Sequence, residues 1–167
     1  MVIHSIDHRI CIFFGLRISD LLRLTWHELL DEDTFIIHEK KTGKRRIIKV
    51  NDTFKRSIIL PCYEKLRIRK MSEPVFLSKI GQAYTADRLN VMFKDIRVKY
   101  RLSIKRFTTH SLRKTFAKRV YTMAGNRSED ALVRLSEMLG HSSTAITRKY
   151  IGLTQQVMAD TYDMLSY

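Results

Sequence analysis

The chain has 167 residues, enough for one domain with a sizeable core and too few for two ordinary ones. Hydrophobic residues make up 44% and charged residues 29%, with only two prolines and six glycines, which excludes a disordered or membrane-embedded chain and favours long regular elements, helices above all. The 31 Lys and Arg against 17 Asp and Glu leave a formal charge of +14, a field that suits polyanions, chiefly nucleic acid, when it is not simply a solvated basic surface.

The basic residues cluster in KKTGKRR, KLRIRK and KRFTTHSLRKTFAKR. Cys11 and Cys62 are too few for a disulfide framework and form no CxxC pair, so a reducing compartment is expected. No apolar run reaches membrane-span length, and MVIHSIDHRICIFF lacks the layout of a secretory leader. The expected location is cytoplasmic, on the nucleoid, with no membrane.

In chain order, Ile6, Ile10, Phe13 and Phe14 recur at helical spacing until Gly15 breaks the run. Ser19 is then expected to cap a helix that buries Leu21, Leu22, Leu24 and Trp26, which sets Arg17 beside a helix start. TFIIHEKKTGKRRIIKV holds two β-branched runs around a Lys-Thr-Gly-Lys turn, the pattern of a β-hairpin whose glycine takes positive φ. Helical signals return from Asp52, capped by Asn51 and interrupted at Pro61, and again after Thr85, with SEPVFLSKIGQ between them as a loop with a short extended piece.

THSLRKTFAKRVYTMAG opens on a threonine cap and repeats Leu112, Phe116 and Val120 at spacing four, with Gly125 as its stop. SEDALVRLSEMLG reads as a short amphipathic helix capped by Ser128 and ended by Gly140, and a final helix from Thr154 carries Val157, Met158, Tyr162 and Leu165. The expected fold is α+β, mostly helical, with one small antiparallel hairpin, in a single domain over residues 1–167.

His110 and Arg113 stand three apart in one of these helices, so their side chains leave from neighbouring positions on one face. Alone, such a pair is as well explained by a capping histidine and an exposed arginine. His141 directly follows the Gly140 stop, and Tyr150 comes nine residues later; each alone is an ordinary residue. His4 and His8 have i,i+4 spacing but no obvious third ligand, which argues against metal catalysis.

Together with Arg17 and Lys41 the order is Arg, Lys, His-x-x-Arg, His, Tyr. The stretches GLRISDLLRLTW, KKTGKRRIIKV, THSLRKTF and LGHSSTAITRKYIG resemble, in order and spacing, the catalytic domain of the tyrosine recombinases, or phage-type integrases, from about Gly15 to Ile151. The resemblance implies that family's catalytic-domain fold and DNA strand cleavage and rejoining on double-stranded DNA through a 3′-phosphotyrosyl ester, with no metal, no cofactor and no ATP.

By the same resemblance, Arg17 and Arg113 neutralise the phosphate oxygens and Tyr150 is the nucleophile, its phenolate favoured by nearby positive charge. Lys41 protonates the leaving 5′ oxygen, His110 serves as acid or base, and His141 donates to the phosphate. Lys40 and Lys44 flank Lys41, and it is the Lys-Thr-Gly register that selects Lys41. Asp20 matches an acidic position that orients the site, though a plain first-turn helix acid explains it equally well. Lys40, Lys44, Arg45 and Arg148 are the expected backbone contacts to DNA.

Two departures accompany the resemblance. The separate N-terminal core-binding domain of most members, and the arm-binding domain that some add, are expected to be absent from this chain. Gln155 to Tyr167 could pack on a neighbouring copy in a tetrameric synapse, or on its own domain. A DNA-relaxing topoisomerase of type IB and a non-catalytic DNA-binding module remain the competing readings.

Overall fold

The computed structural model describes residues 8–66, 70–78, 80–153, 160, 163 and 164. It is mostly helical with a two-stranded antiparallel sheet, as expected. The chain forms two compact units, Met1–Leu112 and Arg113–Tyr167, each with its own apolar core.

In the first unit, helix α1 (His8–Phe14) halts at Gly15, whose φ of +56° suits glycine. The next helix differs from expectation. Helix α2 (Ile18–Leu21) is one turn long, Arg17 itself occupies its cap position with extended backbone, and Ser19 lies inside the helix. The stronger start signal lies further on: Thr25 accepts from the Glu28 amide while the Glu28 carboxylate accepts from Thr25 N–H at 2.7 Å, opening helix α3 (Trp26–Leu30). Ser19 has Leu22 three residues on and cannot form that reciprocal pair.

Strands β1 (Thr34–His38) and β2 (Arg45–Lys49) pair as a hairpin in which Phe35 faces Ile48 and Ile36 faces Ile47. Because side chains alternate across a strand, the first pair is buried in the core and the second is exposed. Residues 39–44 form the turn, with Gly43 at φ +68°.

Asn51 caps helix α4 (Asp52–Phe54) through a 2.8 Å bond from the Phe54 amide. The expected break at Pro61 is absent. A π-helical turn, Lys55–Ile59, leads directly into helix α5 (Leu60–Leu66), and Leu60 N–H reaches back to the Lys55 carbonyl. Proline lacks an N–H and crowds the carbonyl four residues back; a widened turn just before it relieves that conflict without ending the helix.

The extended piece around residue 75 binds the α2–α3 junction, with Val75 N–H on Leu24 C=O at 2.8 Å and Trp26 N–H on Glu73 C=O at 3.3 Å. Thr85 caps helix α6 (Ala86–Lys99) as expected. Trp26, Leu29, Ile59, Phe76 and Leu89 fill the centre of this core, and Phe13 stacks on Phe54 at 3.7 Å.

Helix α7 (Thr109–Ala124) gives Leu112 to the first core and Phe116 and Ala117 to the second. A 3-10 turn, Gly125–Arg127, feeds helix α8 (Ser128–Leu139), so Ser128 is its first residue and not the expected side-chain cap. Helix α9 (Thr144–Ile151) is capped by Ser143. Leu132, Leu135, Leu139 and Ile151 form the second core with Phe116 and Ala117. Ile6, His4 and the expected final helix with Val157, Met158, Tyr162 and Leu165 lie outside the described residues. Among the described residues no helix is long and apolar enough to cross a membrane.

Candidate active site

In the first unit, Arg17 projects from the entry to α2 and forms an ion pair with Glu39 at the end of β1. Glu39 is only 5% exposed, and it also accepts from the Thr42 hydroxyl at 2.7 Å. Burial alone would push the Glu39 carboxyl up; hydrogen bonds from Thr42 and Arg17 and the charges of Arg17 and Arg46 outweigh it, and the pKa lies below its ordinary value.

Asp20 lies one helical turn after Arg17 and is buried, and its Oδ1 accepts the backbone N–H of Lys40 at 2.8 Å. Two carboxylates therefore fasten the hairpin turn to α2, one through Arg17 and one directly. Lys41 stands on that turn, exposed, as do Lys40 and Lys44, and Arg45 is exposed beside it at the start of β2. The backbone neighbours of Lys41 are held while its side chain remains in solvent, an arrangement that lets an ammonium reach a ligand without carrying the fold with it. His110 is exposed in the first turn of α7.

The second unit gathers Arg113, His141 and Tyr150. Arg113 is 6% exposed and donates through Nη2 to the Leu139 carbonyl at 3.0 Å, one of the carbonyls that the end of α8 leaves without a helical partner. Gly140, at φ +66°, closes α8 with a Schellman motif: Gly140 N–H bonds Glu137 C=O at 3.0 Å and His141 N–H bonds Ser136 C=O at 2.9 Å. The Leu-Gly-His sequence thus clamps the His141 backbone as a by-product of ending a helix.

Ser143 then starts α9, which carries Thr147 and, one turn later, Tyr150. The His141 and Tyr150 rings meet edge to face, with centroids 5.1 Å apart. The nine-residue step is a helix stop, a two-residue link and two turns of helix that return to the stop.

Tyr150 is half-buried against the second core. Its pKa is raised, because burial disfavours the phenolate more than the charge and hydrogen bond of Arg113 favour it. This reverses the expected direction: near Tyr150 the positive charge is present, but desolvation outweighs it. Arg148, one of the expected DNA contacts, is half-buried and ion-paired with Glu129.

The sequence alone does not single out Glu39 or Thr147. An acid beside a lysine run reads as surface charge balance, and a threonine inside a helix reads as filler; only the packing of β1 on α2, and of α9 on the α8 stop, gives them partners.

The fold is that of a site-specific recombinase catalytic domain: the crystal structure of XerA recombinase superposes with a TM-score of 0.66 at 24% identity, over 93% of this chain and 55% of that one. In sequence, a probable integrase/recombinase, YoeC, of Bacillus subtilis strain 168 is 30% identical over 89% of this chain and 76% of its own length. The tyrosine recombinase XerC of Xanthomonas campestris pv. campestris strain B100 is 28% identical over 89% of this chain, which spans only 44% of that relative. The phage integrase family profile matches residues 8–156, and the chain belongs to that family, the tyrosine recombinases.

Proposed function

We propose that the chain acts as one catalytic domain that cuts and rejoins double-stranded DNA at specific sites by transient attachment of the 3′ phosphate to Tyr150. The carrying observation is the grouping of Arg113, His141 and Tyr150 in one unit, with the arginine close enough to the phenol to oppose the effect of burial.

In this mechanism Tyr150 Oη attacks the scissile phosphorus and loses its proton as the phosphotyrosyl bond forms. Two guanidiniums, Arg17 and Arg113, neutralise the non-bridging oxygens, where charge accumulates, through permanently charged planar donors. His141 donates to one of these oxygens, and His110 exchanges the tyrosine proton. Lys41 gives a proton to the departing 5′ oxygen. The ester retains the free energy of the broken bond, so attack by a 5′ hydroxyl of another strand reseals DNA and releases Tyr150 without ATP. Strand exchange between duplexes further requires several copies on DNA, and the segment after Tyr150 is the proposed contact between them.

A nicked suicide duplex, whose cleaved 5′ fragment diffuses away, tests this reading. The expected result is a covalent protein–DNA adduct with the unaltered chain and none with Tyr150→Phe. An adduct that persists in Tyr150→Phe, or none with the unaltered chain at low salt, overturns it; relaxation of a plasmid without recombinant product would point to a topoisomerase.

A further inference from the structure

We infer that Glu39 is a positioning residue that sets the place of Lys41 by bracing its turn through the Thr42 hydroxyl. The inference rests on the proposed role of Lys41 as donor to the leaving 5′ oxygen.

A lysine carries its ammonium on a flexible four-carbon stem, and a proton passes to a leaving oxygen only when donor and acceptor come within hydrogen-bond reach. Motion of the turn would add to the freedom of the stem. The turn is braced against that motion at its base and on both sides of Lys41. At the base, Glu39 N–H donates to the Lys44 carbonyl at 3.0 Å and Gly43 N–H to the Glu39 carbonyl at 2.8 Å. On one side of Lys41, Lys40 N–H is held by the Asp20 carboxylate. On the other, the hydroxyl of the exposed Thr42 is held by Glu39 Oε2 at 2.7 Å.

The chemistry of the groups fixes the direction of that last bond. The Glu39 carboxyl lies below its ordinary value and is ionised at neutral pH, and a carboxylate only accepts. The Thr42 hydroxyl therefore donates to it and keeps a lone pair for the Lys44 N–H at 3.3 Å. The same Oε2 takes the Arg17 guanidinium from the start of α2, and Glu39 is buried. The acceptor that holds Thr42 is thus itself fixed to the element that carries Arg17, and Lys41 sits between two anchored neighbours.

Because Thr42 is exposed, Thr42→Val removes the hydroxyl without disturbing the core, and Thr42→Ser keeps it. The readout is the leaving group. In a suicide duplex whose scissile 5′ bridging oxygen is replaced by sulfur, the departing group is a thiolate; thiols ionise at about pH 8.5 and leave without a proton from the protein. Lys41→Ala should be slow on the oxygen duplex and close to the unaltered chain on the sulfur duplex. Thr42→Val should form adduct about tenfold more slowly on oxygen, inside the roughly hundredfold range that a misplacement of about 1 Å can cost, and recover on sulfur. Thr42→Ser should match the unaltered chain on both, and Arg113→Lys, altered at the non-bridging oxygens, should stay slow on both. In a Glu39→Leu background Thr42→Val should cause no further loss on oxygen, since the hydroxyl has already lost its acceptor.

An unchanged rate for Thr42→Val on the oxygen duplex overturns the inference. So does a deficit that persists on sulfur while that of Lys41→Ala disappears, and a full further loss in the Glu39→Leu background takes Glu39 out of the brace. Failure of the underlying reading has a different signature: a Lys41→Ala deficit that persists on sulfur removes Lys41 from the acid role, and the inference with it, while adduct in Tyr150→Phe removes the nucleophile.

Discussion

Tyr150 is subject to two opposed effects, and their balance is measurable. Burial raises its pKa and Arg113 lowers it, with burial the larger. Removal of the guanidinium leaves burial unopposed. In a difference titration of phenolate absorbance against Tyr150→Phe, the unaltered chain should ionise Tyr150 above the ordinary value of 10.0, Arg113→Gln higher still, and Arg113→Lys in between, because lysine keeps the charge but not the fork. A proton held more tightly in the folded chain also means that this residue's contribution to stability falls as pH rises past the ordinary value, where the unfolded chain ionises first.

Glu39 has the opposite sign. Its carboxyl is held below the ordinary 4.5, so its contribution is complete above that value and is lost as pH falls through the lowered one. Glu39→Gln should therefore cost about 2 kcal/mol at neutral pH, the worth of a hydrogen bond to a charged group, and much less in acid. Urea denaturation of both forms over a pH series from neutral into acid checks this; an equal loss throughout would remove the charge from the explanation.

At the scale of elements, the hairpin was the most legible part of the chain, because a period of two and a glycine in a lysine-rich turn are local signals. Gly43 has nothing within 4 Å of where a Cβ would stand, so Gly43→Ala tests backbone conformation alone. The left-handed conformation at φ +68° should cost about 1 kcal/mol, with Gly43→Asn costing less, both read as shifts in the urea midpoint.

The helix boundaries were less legible. Ser19 and Ser128 are cap residues by type, yet the first lacks a partner acid and the second follows a 3-10 turn that already supplies a helical entry. Pro61 was expected to stop a helix, and the π turn ahead of it is a tertiary accommodation that residue type does not encode. The site divides in the same way. Arg17, Lys41, His110, Arg113, His141 and Tyr150 are legible through the family resemblance that their stretches carry; none stands out alone. Glu39 and Thr147 acquire their partners only from elements distant in sequence or from a helix stop that turns the chain back on itself.

At the scale of the whole molecule, the charge of +14 is unevenly committed. Lys40, Lys44 and Arg45 are exposed on or beside the hairpin turn, while Arg148 is already balanced by Glu129. Exposed cations that contact phosphate release counterions, and each contact lowers the slope of log affinity against log salt by about 0.9. Lys44→Gln and Arg45→Gln should each therefore reduce the magnitude of that slope by about one, on specific and unrelated duplexes alike, because phosphate contacts carry no sequence information. Arg148→Gln should reduce it by less, since Glu129 competes with phosphate for the same guanidinium, and Glu129→Gln should increase it by releasing Arg148. Fluorescence anisotropy over a salt series measures all four. Equal slopes for Lys44→Gln, Arg45→Gln and the unaltered chain would place the hairpin turn away from the DNA backbone, and with it the proposed reach of Lys41 to the leaving oxygen.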